Sequence, residues 1–213
     1  MGHEQEGAMM LRGIRWVSYG LIALVLLGTG AYFETRPSPG RANGGVSLPG
    51  GVTVGGPFSL IDDTGKPVTD ATYHGRWMLV YFGYTFCPDV CPTELQTIAG
   101  ALDKIGPLAK NVAPLFITVD PERDTQTAMA QYVKLFDDRI VGLTGTPAQI
   151  AAAAKAYRVY YAKTTPKDSS TYLMDHSSFM YLMGPDGRLR TLFPQGLSAD
   201  KLADALRAQM TTS

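Results

Sequence analysis

From Phe58 onward the chain is a succession of apolar runs, some of strand length and some recurring at helical spacing. Phe58–Ile61 and a second run reaching Val68 flank Asp63-Thr64-Gly65, which predicts a small hairpin. Trp77–Phe82 (WMLVYF) and Ala113–Asp120 (APLFITVD) are nearly continuous apolar segments, as strands buried on both faces require. Between them Leu95, Ile98, Ala99, Leu102 and Ile105 follow a helical period, so a helix is expected from Pro92 to about Leu108. Met129, Tyr132, Val133 and Phe136 share one face of a second helix over Thr125–Phe136, and Ile140–Leu143 reads as a short strand. Thr146-Pro147-Ala148-Gln149 fits a capping box with proline at the first helical position, opening a third helix to about Tyr157. Phe179–Met183 and Leu189–Phe193 flank Gly184-Pro185-Asp186-Gly187, a hairpin signal. A last helix begins at Ser198 with Ala199, Leu202, Ala203, Leu206 and Met210 on its buried side.

Strands alternating with helices imply a mostly parallel sheet, and the closing hairpin makes the last strands antiparallel. The fold class expected is therefore α/β with a thioredoxin-like layout. Arg158–Asp175 interrupts it: YRVYYAK and TYLMD flank a polar middle, Thr164–Thr171, which reads as an inserted hairpin or long loop. Loops of that length in compact domains are usually functional or disordered.

The N-terminal part follows another rule. Trp16–Phe33 carries no charge and is close to the ~20 residues a helix needs to cross a bilayer. Arg12 and Arg15 precede it and aromatic residues stand near both ends, which orients residues 1–13 towards the cytoplasm and everything after the helix outside. The rival is a cleaved signal peptide ending at Gly28-Thr29-Gly30. Residues 34–51 are rich in Gly, Pro and Ser and form a flexible tether. The expected organisation is a tail (1–13), a transmembrane anchor (14–33), a linker (34–51) and one folded domain (52–213).

Nineteen basic and nineteen acidic side chains cancel, and no basic stripe marks a nucleic-acid surface. The two cysteines are too few for a disulfide scaffold and stand together as Cys87 and Cys91. Disulfide, redox couple, metal site and peroxidase nucleophile all remain open at this point. Cys87 follows the first buried strand where a helix begins, and a helix N-terminus favours thiolate. Pro88 and Pro92 cost little in the helix entry, whose first N–H groups lack helical partners. One helical turn puts both sulfurs on one face, ready to bridge or to chelate one soft ion.

His176 is the candidate third ligand. It lies just before a strand expected to run antiparallel to Trp77–Phe82, and so at the sheet end that carries Cys87. Asp175 is the candidate to orient its imidazole, with a plain surface carboxylate as the competing reading, whereas His74 and His3 fall elsewhere. Two thiolates and an imidazole suit Cu(I) and Cu(II); zinc accepts the same donors, and a three-ligand site outside the cytoplasm points to metal delivery.

"YFGYTFCPDVCPTEL", "FITVDPERDT" and "MDHSSFMYLMGPDG" resemble the SCO/SenC family of membrane-anchored copper proteins, over about Val54 to Met210. The resemblance implies a thioredoxin-like fold and copper held by Cys87, Cys91 and His176, with the two cysteines also a redox-active disulfide pair. It implies a role at the binuclear copper centre of cytochrome c oxidase subunit II, as copper donor, thiol reductant or both. It names no upstream copper donor and assigns no catalytic residue. Phe86 stands where mitochondrial relatives often carry histidine. For Asp120–Thr125 a site-supporting loop competes with a plain one, whose Asp and Arg cap the next helix and pair with each other. "VCPTE" also resembles the peroxiredoxin signature, but Pro88 replaces its threonine. General thioredoxin-type oxidoreductases carry CxxC and a cis-proline before the antiparallel strand, where this chain reads HSSF.

Overall fold

The protein is described by a computed structural model over residues 53–167 and 170–211. The expected tail, anchor and linker lie outside the described residues, within which no helix is long and apolar enough to cross a membrane.

The strands are β1 (Ser59–Asp62), β2 (Pro67–Thr69), β3 (Trp77–Gly83), β4 (Val112–Thr118), β5 (Val141–Thr144), β6 (Tyr161–Thr164), β7 (Leu173–His176), β8 (Met180–Met183) and β9 (Leu189–Phe193). The helices are α1 (Val90–Ile105), α2 (Gln126–Val133), α3 (Pro147–Tyr157) and α4 (Ala199–Thr211). Seven strands form one sheet in the order β2-β1-β5-β4-β3-β8-β9, while β6 and β7 pair only with each other. β3, β4 and β5 are parallel, and β8 runs antiparallel to β3 with Tyr81 opposite Met180.

Every residue of β3 and β4 is buried, which explains their unbroken apolar sequence. Burying a large side chain contributes roughly 1.5–3 kcal/mol before entropic costs, so these two strands dominate the core. Pro114 sits inside β4, yet β5 pairs with β4 only from Leu115 onward, so the proline lies where one flank of the strand is open. The parallel strands place their carboxyl ends, and the loops that follow them, at one end of the sheet, where ligands of open α/β sheets bind.

Both ends of α1 differ from the sequence expectation, and α2 stops at Val133, short of the expected Phe136. α1 begins at Val90, two residues before Pro92, and gives way at Gly106 (φ +60°) to a 3-10 turn over Gly106–Asn111. The left-handed backbone there favours glycine and ends the α-helix before Leu108. The insertion is a hairpin, β6–β7, with Tyr161 opposite His176 and Thr164 opposite Leu173.

Candidate metal centre

β3 ends at Gly83, and Tyr84–Cys87 crosses the sheet end into α1. The sulfur of Cys87 accepts the backbone N–H of Cys91 at 3.4 Å. It thereby takes the place of a capping side chain, since Asp89 at the N-cap makes no such bond. That contact is why the helix starts earlier than its apolar period suggests. Pro88 has no N–H to satisfy, and Pro92 lies in the first turn where no helical partner exists. Cys91 is wholly buried and Cys87 half-buried, and both are free thiols. A Cβ on Gly83 would stand 2.8 Å from Cys91 Sγ and 2.7 Å from the Phe116 ring. Only glycine lets the sulfur lie this close to the strand.

His176 is the last residue of β7. Its Nε2 lies 3.6 Å from Cys91 Sγ. Its Nδ1 lies 3.0 Å from the Ser177 carbonyl, which can only accept, so the proton sits on Nδ1 and the Nε2 lone pair is free. The ring stands edge-on to Tyr81 and Tyr84, with centroids 6.4 and 5.9 Å away. The orienting partner is thus a carbonyl and not Asp175. Alternation along β7 turns Asp175 away from His176, and its side chain is exposed.

The two sulfurs hold their protons unequally. The Cys91 thiol donating to Cys87 holds Cys87 down at about 3, against opposing burial, with further help from the Asp89 and Cys91 amides. The same hydrogen bond, followed by burial, pushes Cys91 up. The hydroxyl of Tyr81 approaches Cys91 Sγ at 3.9 Å, and burial raises the phenol well above its ordinary value.

The Asp120–Thr125 stretch supports this end of the sheet. Asp124, fully buried, accepts from Thr85 N at 3.0 Å, Thr85 Oγ1 at 2.6 Å and Thr118 Oγ1 at 2.5 Å. It pins the loop two residues before Cys87. Asp120 pairs with Arg123 and accepts from the Tyr172 hydroxyl at 2.9 Å. The expected Asp–Arg pairing is present, but the cap of α2 is Thr125, whose hydroxyl accepts from Ala128 N at 3.2 Å. Thr85, Tyr81, Asp124 and Tyr172 were not singled out by sequence reasoning. Thr85 alone carried a local signal, as a hydroxyl two residues from a reactive thiol.

A cleft of about 360 Å³ opens beside the thiols and is lined by Tyr84, Cys87, Val90, Leu173, Met174 and His176, among others. The described residues contain no closed cluster of three or more His, Cys, Asp or Glu side chains set to hold a metal ion. The nearest approach is Cys87, Cys91 and His176. For metal–sulfur and metal–nitrogen bonds of ~2.3 and ~2.0 Å, two donors on one ion stand roughly 3.5–3.8 Å apart. The Cys91–His176 separation of 3.6 Å falls in that range. The donor set, soft sulfur with one free imidazole nitrogen, fits a soft ion with room for an incoming ligand from the cleft.

The fold and site define a thioredoxin-like domain whose helix-entry thiol pair is faced by a histidine from an inserted hairpin. The chain belongs to the SCO1/SenC family, whose model matches residues 47–211. It is 39% identical over 225 residues to the mitochondrial SCO1 homolog 1 of Arabidopsis thaliana, covering 96% of this chain and 64% of that one. It is 45% identical over 159 residues to the mitochondrial SCO1 homolog of Homo sapiens, covering 74% and 53%. The chain therefore spans less than two thirds of the length of these relatives. Among solved structures, Arabidopsis thaliana ScoI with copper bound matches with a TM-score of 0.71 at 46% identity, over 75% of this chain and 99% of that one.

Proposed function

We propose that this protein is a membrane-anchored copper chaperone and thiol–disulfide protein that helps assemble the binuclear copper centre of cytochrome c oxidase subunit II. Cys87, Cys91 and His176 hold the copper, and the N-terminal helix fixes the domain to the inner membrane on its outer, periplasmic side. The observation that carries this reading is the meeting of Cys91 Sγ and His176 Nε2 at 3.6 Å, from residues 85 positions apart. A copper-bound relative of the same fold supports the choice of metal. Softness supports it too: two thiolates suit Cu(I), and the imidazole adds affinity for Cu(II).

The same thiols can reduce a disulfide on the acceptor. Cys87 thiolate attacks one acceptor sulfur and expels the other as thiolate. Cys91 sulfur then attacks Cys87, releases the second acceptor thiolate and gives up its proton. Two electrons pass to the acceptor, and Cys87–Cys91 becomes the disulfide. The unequal pull on the two protons supports this order, with the exposed sulfur ionised and the buried one protonated.

Copper titration against competing chelators tests the ligand set. Cys87→Ser and Cys91→Ser are expected to lose tight binding of both oxidation states. His176→Ala is expected to keep Cu(I) but lose the thiolate-to-Cu(II) charge-transfer band and oxidase assembly in complemented cells. If His176→Ala binds Cu(II) as the parent does and restores the oxidase, the centre is a dithiol redox site and the general oxidoreductase reading replaces the chaperone.

A further inference from the structure

His176 reaches the thiols on a hairpin that shares no strand pairing with the main sheet. Contacts other than strand pairing must therefore set where its imidazole stands. Tyr81 and Tyr84 meet the ring itself, and Met174 of β7 is buried in the core. Arg123 joins the hairpin to the cysteine loop. Arg123, in the loop after β4, pairs through Nε with Asp120 and donates from Nη1 to the Tyr172 carbonyl at 3.0 Å. Its guanidinium stacks on the Tyr172 ring at 3.8 Å and lies 4.8 Å from Phe86, the residue before Cys87. Tyr172 immediately precedes β7, and its hydroxyl closes the loop by donating to Asp120. The second tie, Lys163 to Glu122 at 2.6 Å, is exposed and contributes little.

We propose that Arg123 is a positioning residue that fastens the β6–β7 hairpin to the cysteine loop and so sets the placement of His176 against Cys87 and Cys91. The inference rests on the copper-site reading above. A planar, five-donor guanidinium suits the task, because one group bonds a carboxylate and a carbonyl in its plane while its faces take aromatic rings. The exposed Phe86 is one of those rings. The latch acts on the imidazole and not on the sulfurs, which α1 and Gly83 place independently. Its loss therefore affects Cu(II), which depends on nitrogen, more than Cu(I), which two thiolates hold.

The test uses the whole chain as parent, Arg123→Met, Arg123→Lys and Tyr172→Leu. Cu(II) affinity, nitrogen hyperfine coupling in the electron paramagnetic spectrum, Cu(I) affinity and amide exchange are measured on each. For Arg123→Met, Cu(II) affinity is expected to fall about 10- to 100-fold, the range seen when a partner orienting a metal ligand is removed. Nitrogen coupling is expected to fade and amides of 173–177 to exchange faster. Cu(I) affinity and exchange in β3 and β4 are expected to stay as in the parent. Arg123→Lys, which keeps the charge over the ring, is expected to recover part of the loss. Tyr172→Leu removes the stacked ring and the hydroxyl bond to Asp120 while the main-chain carbonyl that Arg123 bonds remains, so it is expected to lose part of the Cu(II) affinity, and it carries the test if Arg123→Met does not fold. Parental Cu(II) affinity and nitrogen coupling in Tyr172→Leu overturn the latch while leaving the copper site standing. Absence of nitrogen coupling in the parent itself overturns the copper-site reading, and the latch with it.

Discussion

The Cys87 sulfur accepts the Cys91 amide at 3.4 Å and is half-exposed, while the Cys91 sulfur is enclosed by Tyr81, Gly83 and His176. Two identical side chains four positions apart thus have opposite chemistry. Cys87, held down at about 3, is a thiolate at any ordinary pH, and Cys91 is its proton donor. Reactivity follows from this. An ordinary thiol loses alkylation rate about tenfold per pH unit below its pKa, because only the thiolate attacks. Iodoacetamide is expected to modify Cys87 first, at a rate nearly flat from about pH 5 to 8, as a thiolate already formed requires. Peptide mapping of the labelled protein against pH measures this. A rate that climbs about tenfold per unit across that range would show that Cys91 does not hold the charge.

At the scale of elements, legibility tracked the range of the interaction. β3 and β4 could be read because burial on both faces leaves an unbroken apolar run. The thiols and His176 could be brought together because strand order alone places them at one sheet end. Of the two readings open for Asp175, the surface carboxylate holds, because its neighbour His176 points the other way once residues 173–176 are a strand. Arg123 and Tyr172 could not be paired at all, since they meet across 49 positions with no periodic signal.

The packing of α1 against α4 carries a similar long-range contact. Glu94, on α1, is buried; its Oε1 accepts from Gly196 N at 2.8 Å in the loop before α4, and its Oε2 has no partner. Burial raises its pKa above the ordinary carboxylate value, only partly offset by the Gly196 amide. The native state then holds more protons than the unfolded chain just above that pH, so stability is expected to fall as pH rises through the window. Each unit of elevation is worth about 1.4 kcal/mol, and Glu94→Gln removes this dependence. Urea unfolding of parent and Glu94→Gln from acid to neutral pH checks it. Parallel curves for the two proteins would mean that Glu94 does not titrate abnormally.

For the whole molecule, the domain and its N-terminal segment make separate demands. The core built from β3 and β4 has its own sheet, and the topology proposed above, from the uncharged run Trp16–Phe33 with Arg12 and Arg15 before it, would hold this core outside the cytoplasm. A phosphatase fused at the C-terminus is expected to be active, and a cytoplasm-dependent reporter at the same place silent. The reverse pattern would overturn both the orientation and the compartment assigned to the copper chemistry.

The separate two-stranded sheet has a further consequence for exchange. Two donors of the proposed site belong to the rigid core and one to an appendage that shares no strand pairing with it. Under the proposed copper reading, a competitor entering the cleft would therefore meet donors held by two separate sheets, and the imidazole could be exchanged while α1 keeps both sulfurs in place.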